Sequence, residues 1–77
     1  MRVTYDSEVD AAYIYLREIE PGGAAYTYIA QPEIPTDMIN LDFDKDARLI
    51  GIEVLSASRH LPPELLANAR PRSERPS

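Results

Sequence analysis

The chain is predicted to be α+β: an antiparallel β meander of about five strands, with one short C-terminal helix packed on one face. Three observations lead there. Apolar, aromatic and β-branched residues recur with a period of two at residues 1–5, 11–17, 24–30, 38–43 and 48–55. Turn-forming clusters separate these stretches, among them Asp6-Ser7-Glu8-Val9-Asp10, Pro21-Gly22-Gly23 and Asp44-Lys45-Asp46-Ala47. After Ser58 the period lengthens, and Leu61, Leu65 and either Leu66 or Ala69 fall on one helical stripe.

The first strand places Val3 and Tyr5 on one side. The second and third strands carry four tyrosines: Tyr13 and Tyr15 in one, Tyr26 and Tyr28 in the other. If these two strands pair as a hairpin across an even-length loop, all four rings share one face. Ile14, Leu16 and Ile29 then line the opposite face. Residues 31–36 contain Pro32 and Pro35, which remove ladder donors, so this segment is expected to be a loop rather than a central strand.

The fourth strand sends Ile39, Leu41 and Phe43 inward. With Lys45-Asp46 at the loop centre, Leu41 faces Ile50 and Ile39 faces Ile52 in the returning strand. Gly51 within that strand implies a bulge or the close approach of another group. Pro62 and Pro63 fit only in a first helical turn, which leaves Ser58 or Arg59 outside the helix proper. A helix of about two turns is marginal alone, so its leucines must dock on the sheet. Residues 1–69 form a single domain by this reading. Residues 70–77, with three arginines, two prolines and no apolar side chain, form a disordered tail.

Seventy-seven residues bury only a modest core, and without cysteine no disulfide or thiolate metal site staples it. Association is the remaining route to buried area, so a homodimer or a small protein partner is expected. The formal net charge is −5, and residues 1–69 hold twelve acidic against five basic side chains. Such a body repels phosphate backbones, which argues against nucleic-acid binding and favours a basic partner. No apolar stretch is long enough to span a bilayer, and the N-terminus lacks the apolar core of a signal peptide. Cytoplasmic residence is the expectation.

Two acidic turns are candidate metal sites. Asp42, Asp44 and Asp46 open like a calcium loop, with Leu49 and Glu53 at the eighth and twelfth places. Ala47 occupies the sixth place, where the sharp turn wants glycine, and the flanks alternate like strands. An acidic hairpin turn is the simpler reading. Asp6, Glu8 and Asp10 cluster in the other turn, without a nearby histidine or nucleophile to work with. Asp10 is expected to bond backbone amides. His60, the only histidine, stands where the helix begins, while Ser56 and Ser58 look like turn or capping residues. With no glycine-rich phosphate loop, no catalytic residue and no cofactor is assigned.

The stretch Val3-Thr4-Tyr5-Asp6-Ser7-Glu8-Val9-Asp10-Ala11-Ala12-Tyr13-Ile14-Tyr15-Leu16 resembles the opening signature of a small prokaryotic family, domain of unknown function 2283. Its second motif is similar to Ile39-Asn40-Leu41-Asp42-Phe43-Asp44-Lys45-Asp46-Ala47-Arg48-Leu49-Ile50-Gly51-Ile52-Glu53-Val54-Leu55. Family members commonly carry glycine where Ala47 stands, so the resemblance implies a longer or different turn at this hairpin tip. It implies a compact α+β domain, and no activity or catalytic residues to carry over. The function expected is a non-enzymatic interaction module that self-associates through Tyr13, Tyr15, Tyr26 and Tyr28. Its sharper form is an antitoxin-like partner of a small basic protein. The alternative is a metal- or ligand-binding protein or enzyme using the acidic turns.

Overall fold

The computed structural model describes residues 1–30 and 38–71. Six strands form one sheet: β1 (Arg2–Asp6), β2 (Ala11–Tyr15), β3 (Tyr26–Ala30), β4 (Ile39–Phe43), β5 (Leu49–Leu55) and β6 (Arg70–Pro71). Two short helices, α1 (Ala57–His60) and α2 (Pro63–Ala67), precede β6. The fold is α+β, but the sheet is mixed and its order is β3-β4-β5-β2-β1-β6. The β1–β2, β2–β5, β5–β4 and β4–β3 pairs are antiparallel, whereas β6 runs parallel to β1.

The expected meander therefore fails at one place. β2 pairs with β1 and β5, not with β3. Burial explains the choice, since every β2 residue except Ile14 is buried and an edge position would uncover that strand. Residues 16–25 carry the chain from the middle of the sheet past β5 and β4, about 14 Å at the usual strand spacing. Arg70 and Pro71, assigned from the sequence to the tail, bridge Thr4 and Tyr5 of β1. The predicted loop at 31–36 and the tail from residue 72 lie outside the described residues.

The β4–β5 hairpin is present with its register moved by two residues. Leu41 faces Ile52 and Ile39 faces Val54, with a bulge between Asp42 and Phe43. Because side chains alternate with a period of two, aliphatic still meets aliphatic. The turn is built on Asp44, whose carboxylate accepts the Asp46 and Arg48 N–H groups at 2.9 and 3.0 Å. Ala47 adopts the left-handed conformation at φ 63°. The tip thus keeps a glycine-like backbone with an alanine in it, and the bulge takes up the extra residue.

The C-terminal segment is split in two rather than forming one helix. Leu61, preceding Pro62, is forced to an extended φ of −110° and ψ of 148°, which ends α1 before Pro63 starts α2. Both segments lie over the aliphatic face, as expected. Ala12, Val54 and Ala57 form the buried centre there, with Tyr5, Ile39, Ile52, Leu61 and Leu66 packed round them. β3 supplies no side chain to this cluster.

Candidate functional site

The register across the sheet sorts the tyrosines. Tyr15 lies beside Gly51, then Asp42, then Thr27; Tyr13 lies beside Glu53, Asn40 and Ile29. Ile14 leads instead through Ile52 and Leu41 to Tyr28. Tyr13 and Tyr15 consequently share one face, and Tyr26 and Tyr28 occupy the other. The expectation of four rings on one face is corrected here, because it depended on a β2–β3 hairpin that burial of β2 prevents.

The two pairs also differ in exposure. Tyr13 is 1 % exposed and Tyr15 is buried, while Tyr26 and Tyr28 are 62 % and 61 % exposed. The first pair belongs to the framework. Arg2 stacks on the Tyr15 ring at 3.7 Å and pairs with Glu18 at 3.2 Å. The Tyr15 and Tyr13 rings meet at 4.7 Å between centroids. Tyr13 then crosses over Gly51 and donates its hydroxyl to Asp42 at 2.5 Å. A Cβ on residue 51 would come within 2.6 Å of that ring, so the glycine marks a close approach, as its position in the strand implied.

Asp42 is fully buried, and its second oxygen accepts the Thr27 hydroxyl of β3 at 2.7 Å. A chain of side-chain contacts therefore runs from β1 to β3 across the whole antiparallel part of the sheet. Its last link holds β3 in register. With Thr27 facing Asp42, the alternation of the strand turns Tyr26 and Tyr28 to the opposite side.

There they meet Phe43 and Ala47 of the β4–β5 hairpin. Tyr26, Thr27, Tyr28, Phe43 and Ala47 line an open, shallow apolar groove of about 350 Å³. Ile29, on the other face, is half exposed. Among the described residues β3 has a strand neighbour only on its β4 side. It carries none of the charges, prolines or bulges that blunt natural edges. The opposite edge is blunted, since β6 is two residues long and ends in a proline with no N–H to donate.

The acidic turns are engaged by the chain's own donors. Asp42 is held by Tyr13 and Thr27, and Asp44 by two backbone amides and by Arg17 at 3.1 Å. Asp6 accepts the Glu8 N–H, and Asp10 accepts the Tyr5 hydroxyl at 2.6 Å and both the N–H and hydroxyl of Ser58. The Asp10 bond, with partial desolvation and the charges of Asp10 and Asp6, raises the Tyr5 phenol above its ordinary 10.0. Asp10 thus ties the β1–β2 turn to α1, a longer-range task than the local amide bonding its position suggests. Among the described residues no three acidic or histidine side chains gather as a metal site. His60 ends α1, half-buried.

Sequence reasoning missed Asp42 as the anchor of β3 and Phe43 as part of the exposed groove. The signal available for the first was Gly51, the one glycine inside a strand. Among the described residues no helix is long and apolar enough to cross a membrane. Comparison with curated proteins and with solved structures finds no match. The family model for "Protein of unknown function (DUF2283)" matches residues 2–58, well over half of the chain and including both sequence motifs, and the protein belongs to this family.

Proposed function

We propose that the protein is a non-enzymatic interaction module whose contact surface is β3 with the adjoining groove, and that it uses this surface to self-associate. One observation carries the reading. In a sheet that buries Tyr13 and Tyr15 completely enough to use them as framework, Tyr26 and Tyr28 stand more than half exposed on an unblunted edge strand. Tyrosine in such a position offers large contact area at low entropic cost and a polar tip for a partner.

Charge favours the same place. Residues 21–32 carry no charged side chain, in a chain of net charge −5. Two like-charged bodies meet with least repulsion through such a strip. Light scattering across a concentration series tests the reading. The native chain is expected to shift from monomer to dimer, and Tyr28→Asp to remain monomeric with an unchanged circular-dichroism spectrum. A native chain that stays monomeric to millimolar concentration, and that Tyr28→Asp does not alter, overturns it. Tyr15→Asp is not a usable interface variant, because it breaks the framework.

A further inference from the structure

We infer that two copies join β3 to β3 antiparallel about a two-fold axis through Tyr28, and that the assembly closes at two. This rests on the self-association reading above and adds the geometry. An edge strand presents unpaired N–H and C=O groups along its outer side, and an identical strand run in reverse satisfies them. Centring the axis on Tyr28, the middle of Tyr26–Ala30, pairs the whole strand: Tyr28 with Tyr28, Thr27 with Ile29, and Tyr26 with Ala30. Side chains opposite one another in this register share a face. Tyr26, Tyr28 and Phe43 of both copies then form one aromatic layer, and the two grooves become continuous.

A second copy is the occupant for three reasons. The strand is neutral within an acidic chain, so it offers a small basic partner no charge to recognise. Its five residues are compatible with their own reverse across the axis, placing aromatic or β-branched side chains opposite one another or opposite alanine. Among the described residues the far edge offers little to pair with: β6 has two residues, and its proline has no N–H to donate. A head-to-tail β3–β6 contact, which would propagate into a filament, is thereby disfavoured, and an isologous pair uses up the β3 edge of both copies.

Because the chain has no cysteine, single cysteines report the register directly. Under mild oxidation at concentrations where the native chain is dimeric, Tyr28→Cys is expected to cross-link to itself at least tenfold faster than Thr27→Cys or Ile29→Cys alone. Mixing Thr27→Cys with Ile29→Cys is expected to give the heterodimer, in a pair that leaves both tyrosines intact. Dimers by light scattering with no cross-link favoured at residue 28 and none in the mixture overturn the edge pairing, while the interaction reading stands. Assemblies that grow beyond two with concentration overturn the closure. A native chain that is monomeric throughout removes the parent reading instead.

Discussion

Among the described residues, three outside glycine hold left-handed backbone: Asp10, Ala47 and Ser56, at φ 55°, 63° and 53°. Aspartate visits this region more readily than most residues, whereas alanine has no polar side chain to compensate for its Cβ. Ala47→Gly is therefore expected to stabilise the protein by about 0.5–1 kcal/mol, the relief of Cβ strain less the added entropy of the unfolded chain. Urea titration measures it, and a loss of stability would show that the hairpin tip is not strained. Next to it, Asp44 is held below its ordinary value of 3.8, first by the Arg48 amide, then by the Asp46 amide and the Arg17 and Arg48 charges, against an opposing desolvation. The unfolded chain thus takes up the proton before the folded one. The stability Asp44 contributes is present above its unfolded value, near pH 4, and disappears as pH falls through the lower folded value. Thermal melts from pH 6 to pH 2.5 are expected to show this decline, and Asp44→Asn to flatten it; parallel profiles for the two proteins would contradict the assignment.

At the level of elements, β3 is the most lightly held of the five longer strands, pairing with β4 alone among the described residues. It adds nothing to the aliphatic cluster under the helices, and its side-chain tie to the framework is Thr27 to Asp42. Removing one partner of a hydrogen bond to a buried carboxyl group costs on the order of 1–3 kcal/mol, so Thr27→Val is expected to loosen β3 by that amount. Native-state hydrogen exchange is the measurement. Amides of residues 26–30 should lose protection while those of β2 and β5 keep theirs, and uniform loss across the sheet would mean that β3 opens only with global unfolding. The helical segment shows a related dependence. Pro63 was legible as a first-turn residue, but Pro62 is the N-cap, and the split into α1 and α2 follows from the extended conformation it imposes on Leu61, a consequence that the leucine stripe alone concealed.

For the whole molecule, electrostatics distinguish a second copy from the small basic partner of an antitoxin-like role. Two bodies of charge −5 repel, and salt screens that repulsion. Self-association is accordingly expected to strengthen as sodium chloride rises from about 50 to 500 mM, a range over which the Debye length shortens roughly threefold. Weakening over that range, followed by sedimentation, would point to attraction between unlike charges and away from the neutral edge. Among the described residues the two edges of the sheet also play different parts: β6 and its proline lie at one side, and β3 has no strand neighbour on the other.

The strand positions, the β4–β5 hairpin and the helix-bearing aliphatic face were all legible in the residues, because period-two alternation and turn chemistry act over short distances. The family motifs were legible for the same reason. Which strands lie side by side was not. Placing β2 at the centre and β3 at the edge depends on burying Ala11, Ala12 and Tyr13 from both flanks, on Gly51 making room for the Tyr13 ring, and on Asp42 reaching Thr27 from another strand. Those are matches of shape and hydrogen bonding between residues far apart in the chain, and they exist only once the sheet has closed around them. They alone decided that two tyrosines became framework and two became surface.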